Sequence, residues 1–263
     1  MQKRYNWEDE FESCVYSDRL LDKLIAINRK SSTKIDILEI KKAIFYAKKY
    51  HGNQKRQSGE PYYSHPLEVA NMISDYLFRT DIIVTSILHD TIEDTDLTFD
   101  MIESAFGKII ACQVEDLTRV KKDGRKISAS ETVESLWLQK KYDILLIKQF
   151  DRLHNMQTIE AKSPEKRFKI IKETLEDFLI VAIYLEIPEI KKDLIELCYK
   201  NLFTVQQPQN NLYLTPFQDS YQPLSPVFQN DLIHKQIQCL LEALSLSHQN
   251  AQNTQLNKQD QTK

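Results

Sequence analysis

Residues 81–94 read DIIVTSILHDTIED: Ile82, Ile83, Val84, Ile87 and Leu88 dominate the first part, and His89, Asp90, Glu93 and Asp94 crowd the end. Asp81 is placed to cap a helix by accepting a bond from a free amide at its start. The apolar half that follows predicts a deeply buried helix. An aspartate flanked by Ile87, Leu88 and Ile92 needs a partner for its charge. Glu93 and Asp94 lie one turn beyond, so four polar groups gather around one helix end. Three carboxylates this close repel unless a cation or a proton intervenes. The alternative is a solvated acidic turn running on into Asp96.

Outward from this segment the pattern stays helical. Upstream, Ile37, Ile40, Ile44, Ala47 and Tyr50 recur at three- and four-residue spacing, the stripe of a core-facing helix. HGNQKRQSGEPYYSH (51–65) lacks a period and carries two glycines and a proline, which predicts an ordered loop. Pro66 suits the first turn of the next helix, continued by Leu67, Ala70, Ile73 and Leu77. Downstream, Gly107 is placed to end a short helix in the left-handed conformation. KKDGRK (121–126) reads as a charged turn, and Ser128 with Glu131 can form a capping box. Ile144, Leu145, Ile147 and Phe150 lead into DRLHNMQT on one helix. Ser163-Pro164-Glu165 opens a long helix to about residue 185, and Pro188 opens another to about 202.

Only 4 of 263 residues are glycine, against a usual share near ~7%, which leaves few tight strand turns. The expected fold is all-α: a helical bundle at 34–160, an N-terminal helical segment at 1–33, a helical extension at 161–203, and a polar, partly disordered tail at 204–263. The tail contains a Pro- and Gln-rich linker, an amphipathic helix around Leu232–Leu244, and an end too polar to order. The net charge of −3 argues against binding nucleic acid or an anionic membrane. No apolar run reaches membrane-spanning length and the start lacks a signal-peptide pattern, so a cytoplasmic location is expected. Cys14, Cys112, Cys198 and Cys239 lie far apart and read as reduced, mostly buried residues.

Three pieces hold the metal-ligand chemistry: His65-Pro66, His89-Asp90 with Glu93-Asp94, and Asp151 with Asn155. Asp151, Asn155 and Thr158 share one helix face at i, i+4 and i+7. Two imidazoles and two carboxylates suit Mn²⁺, Fe²⁺ or Zn²⁺ better than an all-oxygen Ca²⁺ or Mg²⁺ cage. Hydrolysis without redox chemistry follows, with an ionised water attacking phosphorus and a nearby acid orienting it.

The runs HGNQKRQSGEPYYSHP, LHDTIEDT and FDRLHNMQT, in this order, resemble the HD hydrolase domain of RelA/SpoT homologues over roughly residues 34–160, and more weakly through the helices that follow. The resemblance implies that His65, His89, Asp90 and Asp151 bind one Mn²⁺, and that Glu93 and Asp94 activate or orient water. Arg56, Ser58, Asn155 and Thr158 would contact the nucleotide. His51 and His154 are assigned supporting roles, and Tyr62 and Tyr63 loop packing. The implied activity is removal of the 3′-pyrophosphate of ppGpp and pppGpp, giving GDP or GTP. Alternatives are a related nucleotide phosphatase, for example on NADPH, or a non-catalytic alarmone- or metal-binding regulator whose tail contacts a protein partner. Synthetase activity, which long members of the family also have, is not expected from the Gln- and Pro-rich residues that follow the extension. Gln57, Gln157 and Phe150 depart from the family pattern, and the first two remove possible cationic contacts.

Overall fold

The computed structural model describes residues 6–120 and 124–204. The chain divides into two compact units, Met1–Ala161 and Lys162–Lys263. Among the described residues there is no strand, only isolated bridges Lys55–Pro61 and Val120–Lys126. The expected linker, amphipathic helix and tail end after residue 204 lie outside the described residues, as does Cys239.

The first unit holds α1 (Val15–Lys30), α2 (Ile37–His51), α3 (Ser64–Ile73), α4 (Thr80–Leu88), α5 (Thr91–Asp94), α6 (Phe99–Phe106), α7 (Lys108–Leu117), α8 (Ala129–Leu138) and α9 (Tyr142–Gln157). At its centre is α4, buried continuously from Ile82 to Leu88 and packed against α2, α3, α7 and α9. A helix apolar on all faces is stable only where neighbours cover all of it. Its two buried hydroxyls are satisfied: Ser86 Oγ donates to Ile82 O at 2.8 Å, and Thr85 Oγ1 to Gln113 Oε1 on α7 at 2.6 Å. Leu24, Ile40, Ile44, Leu67, Ala70 and Val114 complete the surrounding core.

Several boundaries differ from the sequence expectation. Asp81 does not cap α4; Arg79 holds the N-cap position, and the Asp81 carboxylate accepts from Arg79 and Gln113. The 81–94 helix is broken at His89-Asp90, which form a turn between α4 and α5. Gly107 has φ 86° and ψ 165°, a positive φ with an extended ψ, and separates α6 from α7. Asp36 caps α2, and the Ser128–Glu131 capping box of α8 is present.

The second unit contains α10 (Pro164–Glu173), a wide turn of π-helix at Thr174–Phe178, α11 (Leu179–Tyr184) and α12 (Pro188–Thr204). The single helix expected from Pro164 is thus interrupted by that π turn. Ile171, Leu175, Phe178, Leu179, Ile190 and Leu194 are among the buried residues of this unit.

Ile83 is fully buried in α4, whereas Leu38 on α2 is 53% exposed. Ile83→Ala is expected to lower the unfolding free energy by ~2–5 kcal/mol and Leu38→Ala by less than about 0.5 kcal/mol. Urea unfolding of the two variants measures the contrast, and equal costs would contradict the central place of α4.

Candidate metal centre

Three elements deliver side chains to one point. His65 stands in the first turn of α3, His89 just past the end of α4, and Asp151 midway along α9. One ligand atom from each lies within 4.8 Å of the others, and all three residues are buried. Asp90 joins them: its Oδ1 is 3.0 Å from His89 Nε2 and its Oδ2 3.6 Å from His65 Nε2. Asp151 Oδ1 lies 3.2 Å from His65 Nε2 and 3.9 Å from His89 Nε2. All four residues expected as ligands are therefore brought together.

Hydrogen bonds fix which atoms face the cluster. His89 Nδ1 is 2.8 Å from the Ser86 carbonyl, so Nδ1 carries the hydrogen and the neutral ring has its lone pair on Nε2. That nitrogen is fully buried and makes no hydrogen bond, although Asp90 is close. Asp151 is pinned at both oxygens: Lys148 Nζ holds Oδ2 at 2.8 Å, and Asn155 Nδ2 donates to Oδ1 at 2.6 Å.

The charges show what the cluster lacks. Burial opposes ionisation of Asp151, but the neighbouring Lys148 ammonium and the His65 contact hold its pKa well below the carboxylate range. Asp90 is held low, also against burial, by the charge of His89. Burial disfavours a charged His89 too, yet Asp90 and Asp151 override it and lift its pKa to about 9. His65 is lowered by burial. Two imidazoles and two ionised carboxylates around an unpartnered buried nitrogen fit a divalent transition-metal ion.

The two expected water-activating acids have different surroundings. Asp94 Oδ2 accepts from Tyr62 OH at 2.6 Å, and the Asp94 carbonyl accepts from Gln54 Nε2 at 2.8 Å. Gln54 also contacts His51 Nδ1 at 2.9 Å, and the Tyr62 and His51 rings stack 4.7 Å apart. Burial, then the charges of Asp90 and Glu93, raise the Asp94 pKa despite the Tyr62 bond. Glu93 instead lies 2.7 Å from Lys126 Nζ and accepts from the Arg119 amide at 3.2 Å. Although burial opposes its charge, the Lys126 contact and Arg119 hold its pKa low.

Arg56 reaches from the 52–63 loop to the end of α9. Its Nη2 donates to Asn155 Oδ1 at 3.1 Å and Thr158 Oγ1 at 3.0 Å, and its Nη1 is 3.1 Å from His154 Nδ1. Gly59, at φ 96°, tightens the loop, and its amide donates to the Arg56 carbonyl at 2.9 Å. Ser58 is exposed and donates to Glu60 Oε2 at 3.1 Å, apart from the Arg56 cluster. Burial and the adjoining His65 and Arg56 push the His154 pKa down to about 3.

Two participants were not anticipated. Lys148 supplies the positive charge beside Asp151; its signal was a lysine inside the apolar run YDILLIKQF, three residues before that aspartate. Tyr62, expected to pack the loop, is the donor that holds Asp94.

In this all-helical arrangement His89 and Asp90, at the break of a buried helix, meet His65 and Asp151 in a candidate site for a divalent metal. The HD domain family matches residues 43–185, and the chain belongs to that family. A Brucella ovis protein named GTP pyrophosphokinase rsh is 38% identical over 181 residues, covering 66% of this chain and 24% of its own length. The Aquifex aeolicus guanosine-3′,5′-bis(diphosphate) 3′-pyrophosphohydrolase is 39% identical over 167 residues, covering 63% of this chain and 24% of its own. The chain thus spans about a quarter of the length of these relatives. A solved structure of a metazoan orthologue of SpoT described as hydrolysing ppGpp is 20% identical with a TM-score of 0.42, covering 64% of this chain and 93% of that one.

With its pKa at about 9, His89 is protonated at neutral pH and must lose that proton before Nε2 can hold a cation. Apparent metal affinity is therefore expected to rise with pH up to about 9 and then level off, with about one proton released per ion near pH 7.5. Calorimetry in buffers of different ionisation enthalpy counts the protons, and none released would contradict this assignment.

Proposed function

We propose that the chain hydrolyses the 3′-pyrophosphate of ppGpp and pppGpp, giving GDP or GTP and pyrophosphate, with Mn²⁺ as the ion. The observation that carries this reading is the side-by-side placement of the four-residue ligand cluster and the Arg56–Asn155–Thr158 group, joined on α9 where Asn155 donates to Asp151. One is suited to a divalent cation, the other to phosphate and sugar oxygens. The names of the relatives supply the nucleotide.

In this reading His65, His89, Asp90 and Asp151 hold the ion, which supplies Lewis acidity to ionise a water and to offset phosphate charge. Lys148 and Asn155 fix the Asp151 carboxylate, keeping it anionic and oriented. Asp94, raised in pKa and anchored by Tyr62, takes a proton from the water and returns one to the departing ribose 3′ oxygen. The bond between phosphorus and the ribose 3′ oxygen breaks, that oxygen stays on the nucleoside as its hydroxyl, and the water oxygen leaves in pyrophosphate. Glu93, paired with Lys126 and Arg119, stays ionised and orients the water from beside Asp94. Arg56 clamps phosphate, with Ser58, Asn155 and Thr158 lining the nucleotide.

The activity is assigned to residues 34–160, supported by the 1–33 and 161–203 helical segments, with the tail from 204 dispensable. The location is taken as cytoplasmic; no helix among the described residues is long and apolar enough to cross a membrane. No nucleic-acid partner is assigned, and any protein partner is given to the tail.

Chromatography of products from Mn²⁺-loaded protein incubated with ppGpp, pppGpp and NADPH tests the substrate and the bond cleaved. GDP or GTP with pyrophosphate is expected, and release of phosphate from NADPH alone would replace this reading. Asp94→Asn should retain the metal while turnover falls on the order of 10²–10⁴-fold. His89→Ala should lose metal and turnover together, and near-normal turnover in both variants would remove the site.

A further inference from the structure

His154 on α9 touches both the ligand cluster and the loop arginine. Its Nδ1 is 2.7 Å from His65 Nδ1 and 3.1 Å from Arg56 Nη1. A guanidinium has only N–H groups to offer, so the nitrogen facing it must carry a lone pair. With His154 Nδ1 fixed as an acceptor, the second short contact requires a hydrogen on His65 Nδ1. In the neutral ring the lone pair of His65 then lies on Nε2, the atom 3.2 Å from Asp151 Oδ1 and 3.6 Å from Asp90 Oδ2.

Metal-binding imidazoles usually direct their outer N–H to a carboxylate, a carbonyl or water, which fixes tautomer and ring orientation. His89 follows that pattern through the Ser86 carbonyl. His65 does not: its outer nitrogen meets a second imidazole, a group able to present either a hydrogen or a lone pair. Something must set which one, and Arg56 is in contact to do so. Arg56 is itself held against α9 by Asn155 and Thr158, which keeps the guanidinium in place.

We propose that His154 is a positioning residue: held as an acceptor by Arg56, it fixes the Nδ1–H tautomer of His65 and so presents the His65 Nε2 lone pair to a divalent cation. This rests on the metal reading of the His65–His89–Asp90–Asp151 cluster, and not on the identity of the nucleotide. It gives Arg56 a second task, since a phosphate that shifts the guanidinium also acts on a metal ligand, and the two binding events become energetically coupled.

The test uses the full chain stripped of metal and titrated with Mn²⁺ in a calorimeter, without nucleotide. His154→Leu removes the acceptor, whereas His154→Asn places an amide oxygen near the position of Nδ1. Mn²⁺ affinity should fall on the order of 10–100-fold in His154→Leu and stay within about threefold of wild type in His154→Asn. Wild-type affinity in His154→Leu, or equal losses in both variants, would overturn the proposal. Where His154→Leu fails to fold, imidazole ¹⁵N–¹H correlation spectra of the metal-stripped wild type decide. They should show His154 bare at Nδ1 and His65 protonated there, and a hydrogen on His154 Nδ1 overturns the proposal whatever the variants do. Normal Mn²⁺ binding without ppGpp hydrolysis would remove the proposed substrate and leave this inference standing. A wild-type chain that takes up no Mn²⁺ would remove the metal reading, and this inference with it.

Discussion

The structure is organised around the confinement of two carboxylates, Asp90 and Asp151, at the edge of an apolar helical core. Both reach within 3.6 Å of the same His65 nitrogen. Two unit charges ~4–6 Å apart repel by roughly 3–4 kcal/mol at an effective dielectric constant near 20. That is a large share of the ~5–15 kcal/mol by which a domain is stable. The pair persists because positive charge or hydrogen-bond donors meet it from several sides: Lys148 and Asn155 on Asp151, and the two histidines between the carboxylates. The raised pKa of His89 expresses the same demand, since a proton is the smallest cation that can answer it.

The helices meet this constraint through a break. Successive residues on a helix diverge by ~100°, so His89 and Asp90 could not both face one point if α4 ran on. Ending α4 at Leu88 lets neighbours in sequence converge. The turn is held by bonds to the carbonyls it leaves behind, His89 Nδ1 to Ser86 at 2.8 Å and Thr91 Oγ1 to Leu88 at 2.7 Å. The same histidine nitrogen thereby ends the helix and fixes the tautomer. Burial of α4 between α2, α3, α7 and α9 makes the break reproducible, because its apolar residues leave no freedom to rotate.

This explains what the sequence revealed. Helical content followed from three- and four-residue spacing, whereas the set His65, His89, Asp90 and Asp151 was legible through the resemblance of three motif runs taken together, since each piece alone reads equally as a structural or solvated group. The break at 89–90 was not legible, since it contains neither glycine nor proline and is set by side-chain bonds that form only on folding. The Glu93–Lys126 pair joins residues 33 apart in sequence, beyond any local pattern. The π turn at Thr174–Phe178 occupies an ordinary helical sequence, with Thr174 Oγ1 bonding the Ile170 carbonyl at 2.6 Å. Lys148 was visible as an oddity, but a lone lysine is ordinarily solvated, and only its buried place one turn before Asp151 on α9 gives it a role.

The family departures take on a different weight in three dimensions. Gln57 and Gln157 are both exposed, whereas Arg56 is partly buried and bonded to three groups near the end of α9. Cations at the two glutamine positions would act through water, where an ion contact contributes only about 0–1 kcal/mol. The arginine is shielded and pre-oriented, so each of its bonds contributes more and loses less side-chain entropy when a ligand arrives. Phe150, the third departure, is buried against Tyr76 with ring centroids 5.2 Å apart, and occupies core volume next to Asp151. In the proposed function the phosphate contact therefore falls to Arg56 and its partners on α9, and the loss of cations at the two exposed glutamine positions costs little.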